Sequence, residues 1–259
     1  MDGNTIEVSP SKEVINILLV HGNTDYPSKN WYAWLKRELG ETFKDVTLNI
    51  VIPQFPTAVS SERPASPTSE TPEEKLSFEF QTREEWTALA RKIMKDWEPG
   101  KTILIGHSLG GLFVFDLAED QGRAVEAGDA DPFAAVIAVA PVGVKGDVPV
   151  LKGKAQTNLP TFRAITPAFV RKGTKDLTVL TGENDSIVNP KDSIDLAKQC
   201  KADECRVVKG YGHFWQGEGV TELPLVYDCV VEKINRTLTQ SSEPVLSKKM
   251  TSTPDQLTP

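Results

Sequence analysis

Apolar, β-branched runs recur along the chain at residues 14–20, 46–52, 102–105, 134–140, 177–180 and 205–208. Most read as strands covered on both faces, while the second and the last are more mixed. Between them, apolar residues at helical spacing occupy 31–39, 83–97, 112–119, 193–199 and 225–238. Strand and helix in alternation predict an α/β fold: a mostly parallel six-stranded sheet with right-handed crossovers, layered between helices as a three-layer αβα sandwich.

Three stretches break the rhythm. Residues 54–76 are dense in Pro, Ser, Thr and Glu with hardly any apolar content after Phe55. Such a segment cannot offset the entropy of being ordered, so a mobile insertion is expected. The tail from 239 to 259 reads the same way, and the polar, acidic residues 1–13 read as a flexible N-terminus, which leaves one domain over 14–238. Residues 141–175, with Pro149, Pro160, Pro167, Phe162 and Phe169, are too long for a simple crossover. They read either as part of a substrate pocket, since ligands of open α/β sheets bind beyond the carboxyl ends of the strands, or as a helix with irregular flanks.

Composition narrows the classes. A chain of 259 residues with 39% hydrophobic content buries a substantial core. A net charge of -7 without a basic block argues against nucleic acid, which demands clustered Lys and Arg. No apolar run approaches the length of a membrane span, and no basic-then-apolar leader opens the chain. The three cysteines, Cys200, Cys205 and Cys229, are odd in number and lack metal-ligand spacing. Free thiols, a cytoplasmic setting and no metal or cofactor are therefore expected.

The third strand runs through Gly106-His107-Ser108-Leu109-Gly110 straight into a helix. Gly-x-Ser-x-Gly arises by chance in about one chain in ten of this length, so it counts only with its flanks. Here a buried strand precedes it and an apolar helix follows, the context of a nucleophile elbow. Side chains at Gly106 or Gly110 would crowd the sharp turn that presents Ser108.

A serine hydroxyl needs a base, and the base needs a carboxylate to fix its tautomer. Of the three histidines, His107 is the variable residue of the elbow and His21 belongs to the exit of the first strand. His213, directly after the last strand, is the candidate base. The order Ser, Asp, His places the carboxylate between 108 and 213; the turn after the fifth strand offers Asp185, with Glu183 in reserve. For the oxyanion hole, one N–H is expected from Leu109 and the other from the loop after the first strand, at Asn23 or Thr24. Trp31, Trp34, Trp86 and Phe214 are candidate pocket residues, with core packing as the competing role for all four.

These residues resemble an α/β-hydrolase, and more narrowly the small serine hydrolases grouped with retinoblastoma-binding protein 9 and its bacterial relatives. The marks are His21-Gly22 followed by Trp31-Tyr32-Ala33-Trp34-Leu35, the elbow, Asn184-Asp185-Ser186-Ile187-Val188, and Gly212-His213-Phe214 running through Gly217-Glu218-Gly219 to Leu223-Pro224-Leu225-Val226. The resemblance implies a compact hydrolase lacking the two N-terminal strands of larger relatives, with Ser108, Asp185 and His213 as triad. Pocket-protein binding rests in that family on Leu-x-Cys-x-Glu, a pattern none of the three cysteines here satisfies. The expected activity is cleavage of a small-molecule ester or amide through an acyl-enzyme. A thioesterase or acyl transferase with the same triad, and a weakly active binding protein on a hydrolase fold, are the alternatives.

Overall fold

A computed structural model describes residues 13–23, 25–56, 83–145, 148–150 and 164–241. The chain runs β1 (Val14–Val20), α1 (Tyr32–Thr42), β2 (Thr47–Val51), α2 (Arg83–Ile93), β3 (Thr102–His107), α3 (Leu109–Ala127), β4 (Ala135–Val139), β5 (Gly143–Lys145), β6 (Val148–Val150), α4 (Pro167–Lys172), β7 (Leu177–Gly182), α5 (Pro190–Gln199), β8 (Glu204–Val208) and α6 (Pro224–Ser241). Six strands form one sheet in the order β2-β1-β3-β4-β7-β8, every neighbouring pair parallel. Strands β5 and β6 form a separate antiparallel pair.

Burial follows from this order. The central strands β3, β4 and β7 are covered throughout, as their unbroken apolar runs require, whereas the edge strands β2 and β8 keep exposed positions. Alternate side chains feed two cores. Ile15, Ile17, Leu19, Ile103 and Ile105 pack with α1 and α6 on one face. Leu18, Val20, Leu104, Val136 and Val179 pack with α2, α3 and α5 on the other. The chain steps outward from β1 to β2, then crosses to β3 on β1's other side. The carboxyl ends of β1 and β3 thus form the topological switch point, where open α/β sheets bind their ligands.

Several expectations are altered. The helix expected over 112–119 extends from 109 to 127; Gly122 interrupts its apolar pattern because a Cβ there would overlap the Phe169 carbonyl of α4. The described part of 141–175 contains the β5–β6 pair and the helix α4. Helix α4 packs on α3, with the Arg123 guanidinium 4.2 Å over the Phe169 ring; Pro160 and Phe162 lie outside the described residues. The expected insertion at 54–76 is described only for its first three residues, and these are anchored. Phe55 is buried and its N–H donates to His21 Nε2 at 2.9 Å, while the Pro56 carbonyl accepts from the Trp86 indole at 2.9 Å. Apart from Glu13 and residues 239–241, which α6 includes, both termini expected to be flexible also lie outside the described residues. Among the described residues, no helix is long and apolar enough to cross a membrane.

Candidate active site

Strand β3 ends at His107, and Ser108 turns the chain into α3 with φ 56° and ψ -117°, a conformation that L-residues rarely adopt. Its surroundings hold it there. The Ser108 N–H donates to the Val139 carbonyl at 2.8 Å, and the Ser108 carbonyl accepts from Leu112 and Val142, each at 3.2 Å. A Cβ on Gly106 would overlap the Gly110 carbonyl, and one on Gly110 would run into the carbonyls of Val20 and His21. Both glycines are needed for α3 to start this close to β1 and β3.

His213 follows β8 and brings its ring to the serine, with Nε2 2.9 Å from Ser108 Oγ. Its Nδ1 lies 2.7 Å from Asp185 Oδ2. A carboxylate can only accept, so Nδ1 carries the hydrogen and Nε2 is left bare toward the hydroxyl. Asp185 is fixed by its own turn, Oδ1 accepting from the N–H groups of Ile187 and Val188 at 2.8 Å each. Burial alone would raise its carboxyl. The hydrogen bond and charge of His213, joined by those two amides, outweigh burial and hold it below the ordinary carboxylate value. Glu183 has an exposed side chain and takes no part in this contact.

Leu109 is the first residue of α3, where amides have no intrahelical acceptor and the helix dipole favours negative charge. The loop after β1 passes directly over the serine, since a Cβ on Gly22 would stand 3.2 Å from Ser108 Cβ. Asn23 follows at once, whereas Thr24 lies outside the described residues. Trp31 and Phe214, expected at the pocket, have no exposed surface. The Trp31 indole donates to the Phe214 main-chain carbonyl at 3.1 Å, which ties the start of α1 to the loop that carries His213. Trp86 is equally buried, against Phe55 and Phe113. Among the described residues, no group of His, Cys, Asp and Glu is placed to hold a metal ion.

The other two histidines are structural neighbours of this site. His21 accepts from Phe55 and hydrogen-bonds the Gly22 carbonyl at 2.8 Å, and burial lowers its pKa. His107 lies between the Tyr32 hydroxyl, 2.7 Å from Nδ1, and the His213 carbonyl, 2.8 Å from Nε2. Burial, together with the proximity of His213, lowers its pKa to about 4. Sequence reasoning set His107 aside and gave Asp25, Asn30 and Tyr32 no role. These contacts span up to 106 positions in sequence, and nothing in local spacing signals them.

The ydeN gene product of B. subtilis has the same fold, with a TM-score of 0.61 and 21% identity over 85% of this chain and 99% of that one. Est1E from Butyrivibrio proteoclasticus, solved with ferulic acid, gives 0.54 and 18% over 89% and 92%. The meta-cleavage product hydrolase of Pseudomonas fluorescens gives 0.54 and 15% over 87% and 92%. At these identities the likeness is one of fold, that of α/β-hydrolases. No curated protein matches the sequence significantly. The family model described as serine hydrolase matches residues 67–232, a span that contains the elbow, the Asp185 turn and His213. On that match, covering well over half of its length, the chain belongs to the serine hydrolase family.

Proposed function

We propose that the chain hydrolyses a small-molecule carboxylic ester or amide through an acyl-enzyme, with Ser108 as nucleophile, His213 as general base and acid, and Asp185 as the group that orients the base. The unbroken line Asp185 Oδ2, His213 Nδ1, His213 Nε2, Ser108 Oγ, at 2.7 and 2.9 Å on a strained elbow, carries the reading. As Oγ attacks the acyl carbon, its proton passes to Nε2. The carbonyl oxygen becomes an oxyanion, which the Leu109 and Asn23 amides stabilise. The bond to the leaving oxygen or nitrogen then breaks as Nε2 returns the proton to it. Water repeats the sequence on the acyl-enzyme, giving up a proton to Nε2 and releasing the carboxylic acid and a free Ser108 hydroxyl.

Hydrolysis of p-nitrophenyl acetate by the parent, Ser108→Ala and His213→Ala tests this. Each variant is expected to lose about a thousandfold or more in kcat with its circular dichroism unchanged. Parent-like turnover in Ser108→Ala would remove the serine from the mechanism.

A further inference from the structure

Resting on that reading of the triad, we propose that Asp25, Tyr32 and His107 form a buried positioning relay that clamps the main chain of the loop carrying His213. The base is thereby kept in reach of Ser108 as it gains and loses its proton. Three side chains from one side of the site grip this loop. His107 Nε2 meets the His213 carbonyl at 2.8 Å, the Trp31 indole the Phe214 carbonyl at 3.1 Å, and Asn30 Oδ1 the Gln216 N–H at 2.8 Å. The grip has a physical reason. Phe214, next to the base, has φ 55°, and a bulky residue in that region persists only where its surroundings over-determine it.

The proton count gives the relay its direction. The His213 carbonyl only accepts, so Nε2 of His107 carries the hydrogen, and a neutral ring then leaves Nδ1 as acceptor. Tyr32 supplies the donor at 2.7 Å. Burial, with the Asp25 charge, holds the phenol well above its ordinary value, so Tyr32 keeps its proton. Asp25 Oδ2 lies 3.1 Å from the Tyr32 oxygen and accepts from Asn30 Nδ2 at 2.9 Å, and Asn30 Nδ2 also donates to Tyr32 at 3.0 Å. The single Tyr32 proton thus faces two acceptors. While His107 is neutral it goes to the ring; when His107 takes a proton, Nδ1–H donates to the phenol oxygen and the phenol turns to Asp25. The charged and titratable groups facing His107 are Asp25 at 3.8 Å, Tyr32, His213 with ring centroids 5.0 Å apart, and Asp185 beyond His213.

Tyr32→Phe removes only the hydroxyl and keeps the edge-on packing against Trp31. With p-nitrophenyl acetate, kcat is expected to fall about tenfold to a hundredfold, the scale of a misplaced catalytic group, with KM within about twofold of the parent. With the phenol gone, the neutral ring loses its donor and the protonated ring loses its acceptor, leaving Asp25 at 3.8 Å as the nearest charge, so the acid limb of kcat/KM is expected to move away from the parent's. His107→Leu should lose kcat likewise, and His107→Gln, whose amide both donates and accepts but does not titrate, should restore most of it. If a variant at 107 fails to fold, Tyr32→Phe alone decides. Parent-like kcat and acid limb in Tyr32→Phe overturn the relay, as does a His107→Gln no better than His107→Leu. A parent that neither turns over the ester nor reacts with a fluorophosphonate overturns the triad reading and the relay with it. An active, labelled parent with an indifferent Tyr32→Phe overturns the relay alone.

Discussion

Lowering the pH should destabilise the protein through His107, and the size of the effect follows from its surroundings. In the unfolded chain this imidazole titrates near 6.5; folded, burial among Trp31, Tyr32 and His213 lowers it to about 4. The unfolded state therefore binds a proton that the folded state refuses. Stability is complete above pH 6.5, is lost as the pH falls toward 4, and falls no further from this source below that. At about 1.4 kcal/mol per pH unit, the loss amounts to about 3 kcal/mol. His21, also lowered by burial, adds a loss of the same sign, so the parent alone does not isolate the effect. His107→Gln does, because glutamine keeps a donor and an acceptor but binds no proton, and groups remote from position 107, His21 among them, cancel in the comparison. Urea unfolding of both proteins at pH 7.0, 5.5 and 4.0 measures it. Between pH 7 and pH 4 the parent should lose about 3 kcal/mol more than the variant. Equal losses would show that His107 is not held neutral by the fold.

Asp185→Asn should lower kcat by about ten-thousandfold while preserving the fold. Its carbonyl oxygen keeps the Ile187 and Val188 amides, which turns its NH2 toward His213 and leaves Nε2 protonated; an active variant would contradict this assignment of atoms. Gly110→Ala should cost about 3 kcal/mol or more, because the new Cβ meets the backbone carbonyls of Val20 and His21; a melting temperature within a degree or two of the parent would show that α3 can move off β1 freely. Replacing residues 58–80 with a short Gly/Ser linker should leave the melting temperature within a few degrees, since the bond from Trp86 to Pro56 already brings the flanks together. Failure of that protein to fold would mean that the replaced segment is structural.

The elements that could be read from the sequence are those whose environment is uniform. A strand such as β3, buried on both faces, has to be apolar throughout, and the mixed pattern of 205–208 marks an edge, where β8 lies. Ser108, Asp185 and His213 were readable because each follows a strand at its carboxyl end, so strand order alone brings them together. The network of Asp25, Asn30, Tyr32 and His107 was not readable. Its members are polar groups on a loop, a helix and a strand end, and their pairing depends on the depth at which α1 docks beside β3. The burial of Trp31 and Phe214 was hidden in the sequence for a related reason. An aromatic residue next to a catalytic loop has the same sequence signature whether it faces substrate or supports the loop, and only the docked helix decides. The reach of α3 past residue 119 was not readable either, because α4, the helix that packs against Gly122, is encoded some 45 residues later.

The central claim is that the Asp185 and His213 line makes Ser108 nucleophilic, and covalent trapping tests it most directly. The parent is treated with a fluorophosphonate at neutral pH, weighed intact and digested for tandem mass spectrometry. A single adduct per chain is expected on the peptide containing Ser108, lost in Ser108→Ala and formed far more slowly in His213→Ala. A protein that hydrolyses p-nitrophenyl acetate yet carries no adduct, or carries it on another residue, would contradict the account.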